Sequence, residues 1–375
     1  MMGITRWSTV LYILVPGSES TIALLRMSRR RRYRDGSRMT HDASLLHHGH
    51  NVYDVVKERH RIIQGLGTNS VAASKLKMST LLFVSGASRG LGRAIAVAFA
   101  RSPSLPQTNL HGGTAACLKV VLLARSKEGL VETQSQMEHA IDNKNRKVQL
   151  NVQKEQVDLS DLETLESRLE PILNEQAEEL LLSSHCHDRH AILINCAGTT
   201  GYIGQTPSLA QIQEATDLNI VSKTWLSTRF AQIFSDDSST KDIHTNATTT
   251  VVNISSMCAV KATPTMALYC ATSAARDMYH TVLAGDLATK NNNKNNVRIL
   301  NYAPGSCDTN MQEMLRNHDD LDPAVQAYCR GLVDSESLVA CPDTADELVR
   351  RVLAPSNGFV SGERIEYVNA STYNY

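Results

Sequence analysis

The 375-residue sequence lacks several features that mark particular classes of protein. Basic and acidic residues each number 38, so the formal net charge is zero, and only 5% of the residues are aromatic. A chain without surplus positive charge has no electrostatic reason to bind nucleic acid or an acidic membrane surface. The eight cysteines form no C-x-x-C pair, and no apolar run is long enough to span a membrane. We therefore expect reduced thiols and a small-molecule partner.

Residues 1–77 differ in character from the rest of the chain. Trp7 to Val15 is a short apolar run, and most residues from Arg29 to Arg34 are arginine. Such a leader is typical of an organelle-targeting segment, a disordered basic tail, or sequence upstream of the true start codon. The last alternative is favoured by Met78, since a strand follows it almost at once. We expect an N-terminal extension of 1–77 and one domain of 78–375.

From Met78 onward, short apolar runs alternate with segments of helical period, which predicts an α/β fold. The expected architecture is a single doubly wound (Rossmann) domain with a seven-stranded parallel sheet and helices on both faces. The predicted strands are Leu81–Ser85, Lys119–Leu123, Val148–Val157, Ile192–Asn195, Thr250–Ile254, Arg298–Tyr302 and Arg364–Tyr367. The predicted helices are Leu91–Arg101, Lys127–Ile141, Leu159–Leu182, Leu209–Ile233 and Ala267–Leu287, with short ones near Met311–Arg316 and Thr344–Leu353.

Polar stretches at 102–116, 183–189, 235–248 and 290–296 separate these elements and are expected to be solvated loops. His185, His187 and His190 stand close together around one of them. No matching ligand group occurs elsewhere in the sequence, so we expect no metal site there.

A glycine-rich turn follows the first predicted strand and precedes the first helix. Glycine at its bends lets the backbone approach a pyrophosphate, whose charge the helix N-terminus favours. The alternative is a plain strand–helix connection. The residues expected to bind a dinucleotide here are Gly86, Ser88, Arg89, Gly90, Leu91 and Gly92.

Arg125 ends the second predicted strand, where a doubly wound fold normally offers an acid to the adenosine ribose. An arginine there, together with Arg89, suits a 2′-phosphate and predicts NADP(H), although either could be a surface charge. Asp158, followed by Leu159, is interpreted as a contact to the adenine amino group or as a helix N-cap. Asn195, Ala197 and Gly198 end the fourth strand, where a small turn can pass beneath the cofactor.

Three polar side chains further along suit carbonyl reduction. Hydride transfer to a carbonyl carbon leaves negative charge on oxygen, so a hydrogen-bond donor and a proton source must lie within about 3 Å of it. Ser256 can be the donor and Tyr269 the acid, and Asn219 can hold a water on the proton path or be an ordinary helix residue. Ser255 is assigned to structure.

The patterns Gly-x-x-x-Gly-x-Gly, Asn-x-Ala-Gly and Ser-x12-Tyr are similar to those of the short-chain dehydrogenase/reductase superfamily, from Met78 to about Asn369. Within it, the strings around Tyr269 to Met278 and Leu300 to Gln312 resemble the sepiapterin reductases. The resemblance implies NADPH-dependent reduction of a pterin side-chain ketone, the closing step of tetrahydrobiopterin synthesis. It also implies a cytoplasmic homodimer formed through the two long helices that flank the site.

Residue by residue, the resemblance gives Ser256 and Tyr269 the catalytic and substrate-contacting positions. It places Pro304, Gly305 and Thr309 against the nicotinamide. An aspartate near the carboxyl terminus of sepiapterin reductases anchors the pterin, and the matching residue here is Glu366.

One position departs from the family. The superfamily has lysine four residues after the tyrosine, and this chain has Ser273. Removing a cation about 4 Å from a developing phenolate forfeits up to ~4 kcal/mol at an effective dielectric near 20. Neither Lys261 nor Arg276 is expected to replace it, and restoring lysine at 273 is expected to raise activity. Two alternatives to a working sepiapterin-type reductase follow. One is a catalytically silent NADP(H)-binding or pterin-binding protein, and the other is a carbonyl reductase for other dicarbonyls.

Overall fold

A computed structural model describes residues 10–13, 23–26, 80–105, 107–110, 113–142, 148–182, 188–235, 246–290, 296–354 and 358–367. The chain divides into two compact units, residues 1–51 and 52–375. In the first unit, strands β1 (Val10–Ile13) and β2 (Ala23–Arg26) pair antiparallel, and β1 falls inside the apolar run noted above. Most of residues 1–77 lie outside the described residues, so their targeting or extension role stays a prediction.

The second unit is built on a mostly parallel sheet, whose seven parallel strands coincide with the apolar runs of the sequence. Its strands are β3 (Thr80–Ser85), β4 (Gln107–Leu110), β5 (Gly113–Ala124), β6 (Val148–Gln156), β7 (Asp188–Asn195), β8 (Asn246–Ile254), β9 (Val297–Ala303) and β10 (Arg364–Glu366). The parallel order is β6-β5-β3-β7-β8-β9-β10. Strand order reverses between β3 and β7, which opens a crevice at the carboxyl ends of these strands. The seven-stranded doubly wound prediction is confirmed.

Helices cover both faces of this sheet because both faces of its central strands are apolar. They are α1 (Gly90–Arg101), α2 (Lys127–Asp142), α3 (Leu162–Leu182), α4 (Leu209–Thr216), α5 (Ser222–Phe234), α6 (Ala267–Lys290), α7 (Asn310–Arg316), α8 (Pro323–Asp334) and α9 (Cys341–Leu353). Along β3, Leu82 packs in one buried cluster, with Phe99 of α1. Phe83 packs in the other, where its ring meets Phe230 of α5 edge-on at 5.5 Å. Alternate side chains of one strand thus anchor opposite helix layers.

Three details of the secondary structure differ from the predictions. The stretch 102–116 is not a plain loop, because β4 and the start of β5 form an antiparallel hairpin within it. Helix α8 was not predicted; Asp322 caps it by accepting bonds from the next two backbone N–H groups, and Pro323 follows as its first residue. The predicted helix Leu209–Ile233 is interrupted by a π-turn at Asp217–Val221.

The histidine-rich stretch lies mostly outside the described residues, which omit 183–187. His190 is described, and its Nε2 lies 2.9 Å from Thr250 Oγ1. Burial lowers the pKa of His190 to about 4, so it is a neutral core residue. Seven cysteines are described, and all seven are free thiols. Within the ranges given above, no helix combines the length and the apolar character needed to cross a membrane.

Candidate active site

A cavity of about 760 Å³ opens at the carboxyl ends of the central strands. The loops that follow β3, β5, β6, β7, β8 and β9 all contribute to its wall, because carboxyl ends of parallel strands share one sheet edge. Seventeen of the residues singled out from the sequence line it: Gly86, Ser88, Arg89, Gly90, Leu91, Gly92, Arg125, Asp158, Leu159, Ala197, Gly198, Asn219, Ser256, Tyr269, Pro304, Gly305 and Thr309.

Three of the residues singled out are absent from that wall. Asn195 is fully buried beneath it, where its Oδ1 accepts a bond from Ser85 Oγ at 3.0 Å and its Nδ2 donates to the Lys223 carbonyl at 3.0 Å. It therefore ties β3 and β7 to α5 instead of facing a ligand. Ser273 is also fully buried. The Glu366 carboxylate is bound to the Arg364 guanidinium.

The glycine turn has the geometry that the sequence predicted for it. Gly86 and Gly90 have φ of +70° and +55°, which favour glycine. A β-carbon on Gly92 would lie 2.3 Å from the Gly86 carbonyl oxygen, so α1 can start this close to β3 only with glycine there. Arg89 precedes α1 without a side-chain cap, which leaves the first N–H groups of the helix facing the cavity.

Arg125 and Asp158 meet at one end of the cavity. Arg125 Nη1 lies 3.9 Å from Asp158 Oδ2, and the Arg125 side chain is 72% exposed. Asp158 Oδ1 accepts bonds from the backbone N–H of Ser160 at 3.0 Å and from its hydroxyl at 2.6 Å. Burial opposes ionisation of this carboxyl, but the Ser160 bonds and the Arg125 charge lower its pKa overall. Asp158 caps the turn before α3 and is not the N-cap of that helix, which begins at Leu162.

Ser256 and Tyr269 come together at the opposite end. Ser256 lies two residues after β8 and caps the short 3₁₀ turn Met257–Ala259, with its Oγ accepting a hydrogen bond from the Cys258 N–H at 3.2 Å. Tyr269 stands in the first turn of α6. Burial raises the pKa of Tyr269, and the Arg276 charge and the neighbouring Ser256 side chain only partly oppose that rise. The phenol is therefore protonated at neutral pH, and the Ser256 side chain lies near enough to influence its pKa.

A buried polar network holds Ser256 in place from behind. Arg364 Nη2 donates to the Ser256 carbonyl at 2.8 Å, and Arg364 Nε donates to Asp277 Oδ2 at 3.0 Å. Ser255 Oγ donates to the same carboxylate oxygen at 2.7 Å. Ser255 thus has a structural contact, as predicted, and Glu366 influences the site through Arg364.

Asn219 occupies the π-turn between α4 and α5. It is 1% exposed, and its Oδ1 accepts from the Thr199 N–H at 3.0 Å. Its Nδ2 donates to the Thr199 carbonyl at 2.8 Å and to Thr272 Oγ1 at 3.2 Å. A π-turn widens a helix locally and is frequent at functional sites. Here it lets one amide join the loop after β7 to α6 at the cavity wall.

Arg276 and Lys223 line the wall and were not predicted to belong to it. Arg276 stands two helical turns after Tyr269 on α6 and still lines the cavity. Its Nη1 donates to the Asn219 carbonyl at 3.4 Å and its Nη2 to Ser273 Oγ at 3.2 Å. Lys223 stands on α5, four residues after Asn219, and no motif in the sequence pointed to it.

Comparison with known proteins identifies the family. The family model for short chain dehydrogenase matches residues 80–320. The chain belongs to this family. Its members are oxidoreductases of small molecules that use NAD(P)H, and Ser256 and Tyr269 both lie inside the matched region.

Curated relatives refine this placement. The sepiapterin reductase of Rattus norvegicus is 34% identical over 180 residues, which are 47% of this chain and 62% of that protein, less than two thirds of its length. That of Meriones unguiculatus is 29% identical over 288 residues, 76% of this chain and 94% of that protein. A benzil reductase ((S)-benzoin forming) of Bacillus subtilis is 26% identical over 246 residues, 64% of this chain and 80% of that protein.

Solved structures agree on the fold. An actinorhodin polyketide ketoreductase with NADPH superimposes with a TM-score of 0.54 at 15% identity, covering 78% of this chain and 97% of that one.

Proposed function

We propose that this chain is an NADP(H)-dependent carbonyl reductase that uses Ser256 and Tyr269. One observation carries the proposal: the Ser256 and Tyr269 side chains line the same cavity as the glycine turn, and the serine is close enough to Tyr269 to influence its pKa. The Ser256 hydroxyl donates to the substrate carbonyl oxygen and polarises it. Tyr269 then delivers its proton to that oxygen as negative charge develops. The cofactor, when bound, supplies the hydride.

The residues along the cavity fit a dinucleotide. Gly86, Gly90 and the open N-terminus of α1 suit a pyrophosphate, which needs close backbone approach and N–H donors. A β-carbon on Gly90 would lie 3.3 Å from Thr309 Cγ2, so the glycine turn and the loop after β9 face each other closely. We assign Pro304, Gly305 and Thr309 to the nicotinamide end.

Arg125 and Arg89 are the proposed contacts to a 2′-phosphate at the adenosine end. The Arg125 side chain is exposed and only loosely paired with Asp158, so its guanidinium is available to a phosphate. Asp158 and Leu159 would lie beside the adenine. These contacts are the basis for preferring NADP(H) to NAD(H).

We expect Arg125→Asp to lower kcat/KM with NADPH at least about tenfold, since it replaces a charge-assisted bond with repulsion. The value with NADH should stay the same or rise, because a carboxylate can accept bonds from the free ribose hydroxyls. Steady-state kinetics with both nucleotides measures the ratio, with NADH as the internal control. An equal fall with both would show that Arg125 has another role.

The proposed substrate is a pterin that carries a side-chain ketone, supported by the sepiapterin reductases among the relatives. A dicarbonyl without a pterin ring is the second candidate, and the similarity to a benzil reductase favours it. Pairing of Glu366 with Arg364 leaves its role as a pterin anchor without support from the geometry, so Glu366 is not part of this proposal. Loss of activity with retained nucleotide binding is the third alternative.

The test is NADPH oxidation by the full chain with sepiapterin and benzil in parallel, followed at 340 nm in roughly micromolar enzyme. Turnover of sepiapterin with little turnover of benzil is the expected result. Comparable turnover of both would favour a general dicarbonyl reductase. NADPH binding in a fluorescence titration without turnover of either would contradict the reductase proposal and indicate a silent binding protein.

A homodimer in the cytoplasm is part of the proposal. Helix α6 carries Met278 and Val282 one turn apart, 66% and 52% exposed, on the surface away from the cavity. An apolar pair of this kind on a long helix suits a self-complementary helix interface. We expect a dimer in sedimentation velocity and a shift to monomer when both residues are changed to glutamate. A wild-type monomer would contradict the dimer.

A further inference from the structure

Lys223 is a buried lysine whose amine faces the proposed cofactor cavity. Its side chain is 2% exposed, and it belongs to the cavity wall. A β-carbon on Gly198 would lie 3.5 Å from Lys223 Nζ and 3.3 Å from Asn219 Oδ1, which locates the amine beside both residues. Among the described residues, no hydrogen bond or salt bridge satisfies this Nζ. The amine is therefore held out of bulk water with its donors unused.

Such a position is costly for a lysine. Burying an ammonium without a counter-ion is unfavourable, and a lysine in that position loses its proton easily. Burial lowers the pKa of Lys223 well below its ordinary value, and the Arg276 guanidinium lowers it further. The Asp277 carboxylate opposes this lowering only in part, and a ligand that accepts hydrogen bonds from the amine would offset more of the cost.

The surroundings identify which part of a ligand would lie there. Lys223 is close enough to Arg276 for the two charges to interact, and Arg276 in turn acts on Tyr269. The amine therefore lies at the Tyr269 end of the cavity and not at the Arg125 end. A dinucleotide presents a ribose with two vicinal hydroxyls next to its nicotinamide, and a lysine amine can donate to both.

Residue 273 on the neighbouring helix α6 does not supply a donor to these ribose hydroxyls. Ser273 is too short to reach the cavity, and its hydroxyl accepts from Arg276 Nη2. Helices α5 and α6 both line the cavity wall near Asn219, so an amine can enter the same space from either helix. A side chain from α5 can thus do what a longer side chain at 273 would do from α6.

We propose that Lys223 binds the ribose hydroxyls on the nicotinamide side of the cofactor, so that the amine of this site comes from α5 in place of α6. The proposal rests on the function proposed above for its cofactor, and it assigns Lys223 as a cofactor-binding residue. The side chain then contributes to cofactor affinity at the expense of fold stability.

Lys223→Met tests this proposal, because the substitution should weaken NADPH binding without lowering the thermal midpoint. Methionine has a similar length and no charge, so its thermal midpoint should be equal to or above that of the wild type. The Kd for NADPH, measured by fluorescence titration, should rise about tenfold, the value of one charged hydrogen bond. Lys261→Met is the matched control, because Lys261 lies near Tyr269 in sequence and outside the cavity wall; its Kd should not change.

The double variant Lys223→Met with Ser273→Lys moves the amine to α6 and should recover most of the lost affinity. Ser273→Lys alone should bring no gain, because it places a third cation beside Lys223 and Arg276; this reverses the expectation drawn from the sequence. An unchanged Kd in Lys223→Met would overturn the proposal. So would a weaker Kd together with a lower thermal midpoint, which would indicate a structural role.

Failure of this inference is distinguishable from failure of the proposed function. Weaker NADPH binding in Lys223→Met, with no turnover of any carbonyl by the wild type, would support the amine assignment and contradict the reductase. Normal turnover by the wild type with unchanged Kd in Lys223→Met would support the reductase and contradict the amine assignment.

Discussion

Tyr269→Phe should lower kcat for carbonyl reduction about a thousandfold, within the range typical of a positioned general acid. The phenol lines the same cavity as the Ser256 hydroxyl and is protonated at neutral pH, so it can supply the proton. Phenylalanine keeps the ring and its packing, so the Kd for NADPH and the thermal midpoint should stay close to those of the wild type. Steady-state kinetics at saturating substrate, with an NADPH titration as the control, separates these quantities.

The pH dependence gives a second check on the same residue. The pKa of Tyr269 lies above its ordinary value of 10, so the phenol stays protonated as the pH rises from 7 to 9. Reduction needs the protonated form and should not decline in that window through loss of this proton. Alcohol oxidation with NADP⁺ needs the phenolate, so its rate should be low at pH 7 and rise with pH. A wild-type reduction rate that falls tenfold or more between pH 7 and 9 would contradict the assignment.

Much of the site followed from the sequence because its residues lie at strand ends. A parallel sheet brings carboxyl ends together, so motifs at the ends of β3, β5, β7, β8 and β9 were expected at one edge, and they line one cavity. Each motif is recognisable from a short stretch of sequence: glycine at a bend, serine at a strand end, and tyrosine in the first turn of a helix.

Other features depended on contacts between distant segments. The hairpin of β4 and β5 lies within a polar stretch, so no alternation of apolar residues signalled it. The π-turn at Asp217–Val221 occurs inside a continuous helical pattern. The positions of Lys223 and Arg276 in the cavity wall depend on how far their side chains reach across the gap between α5 and α6. Sequence spacing on one helix does not reveal this. The pairing of Glu366 with Arg364 likewise links a strand end to the Ser256 loop.

Ser256→Ala should lower kcat roughly a hundredfold or more, the effect of removing one oxyanion donor. The Oγ is the atom that would polarise the carbonyl. Its removal therefore takes away the donor. Ser256 Oγ accepts only one backbone bond, from Cys258, so the stability of the fold should fall by no more than about 1 kcal/mol. Chemical denaturation alongside kinetics measures both.

Ser255→Ala is the matched control for Ser256→Ala, because the two serines are adjacent and face different partners. Ser255 bonds the buried Asp277 carboxylate, and its loss should reduce stability by about 1–3 kcal/mol while kcat changes only a few-fold. Equal losses of kcat in the two variants would mean that the loop, and not the Ser256 hydroxyl, sets the rate.

If Ser256 and Tyr269 act on one oxygen, the double variant Ser256→Ala with Tyr269→Phe should be little slower than Tyr269→Phe alone. The reason is that the effects of residues acting as a unit are strongly non-additive. Multiplied effects would show that the two hydroxyls act at separate places.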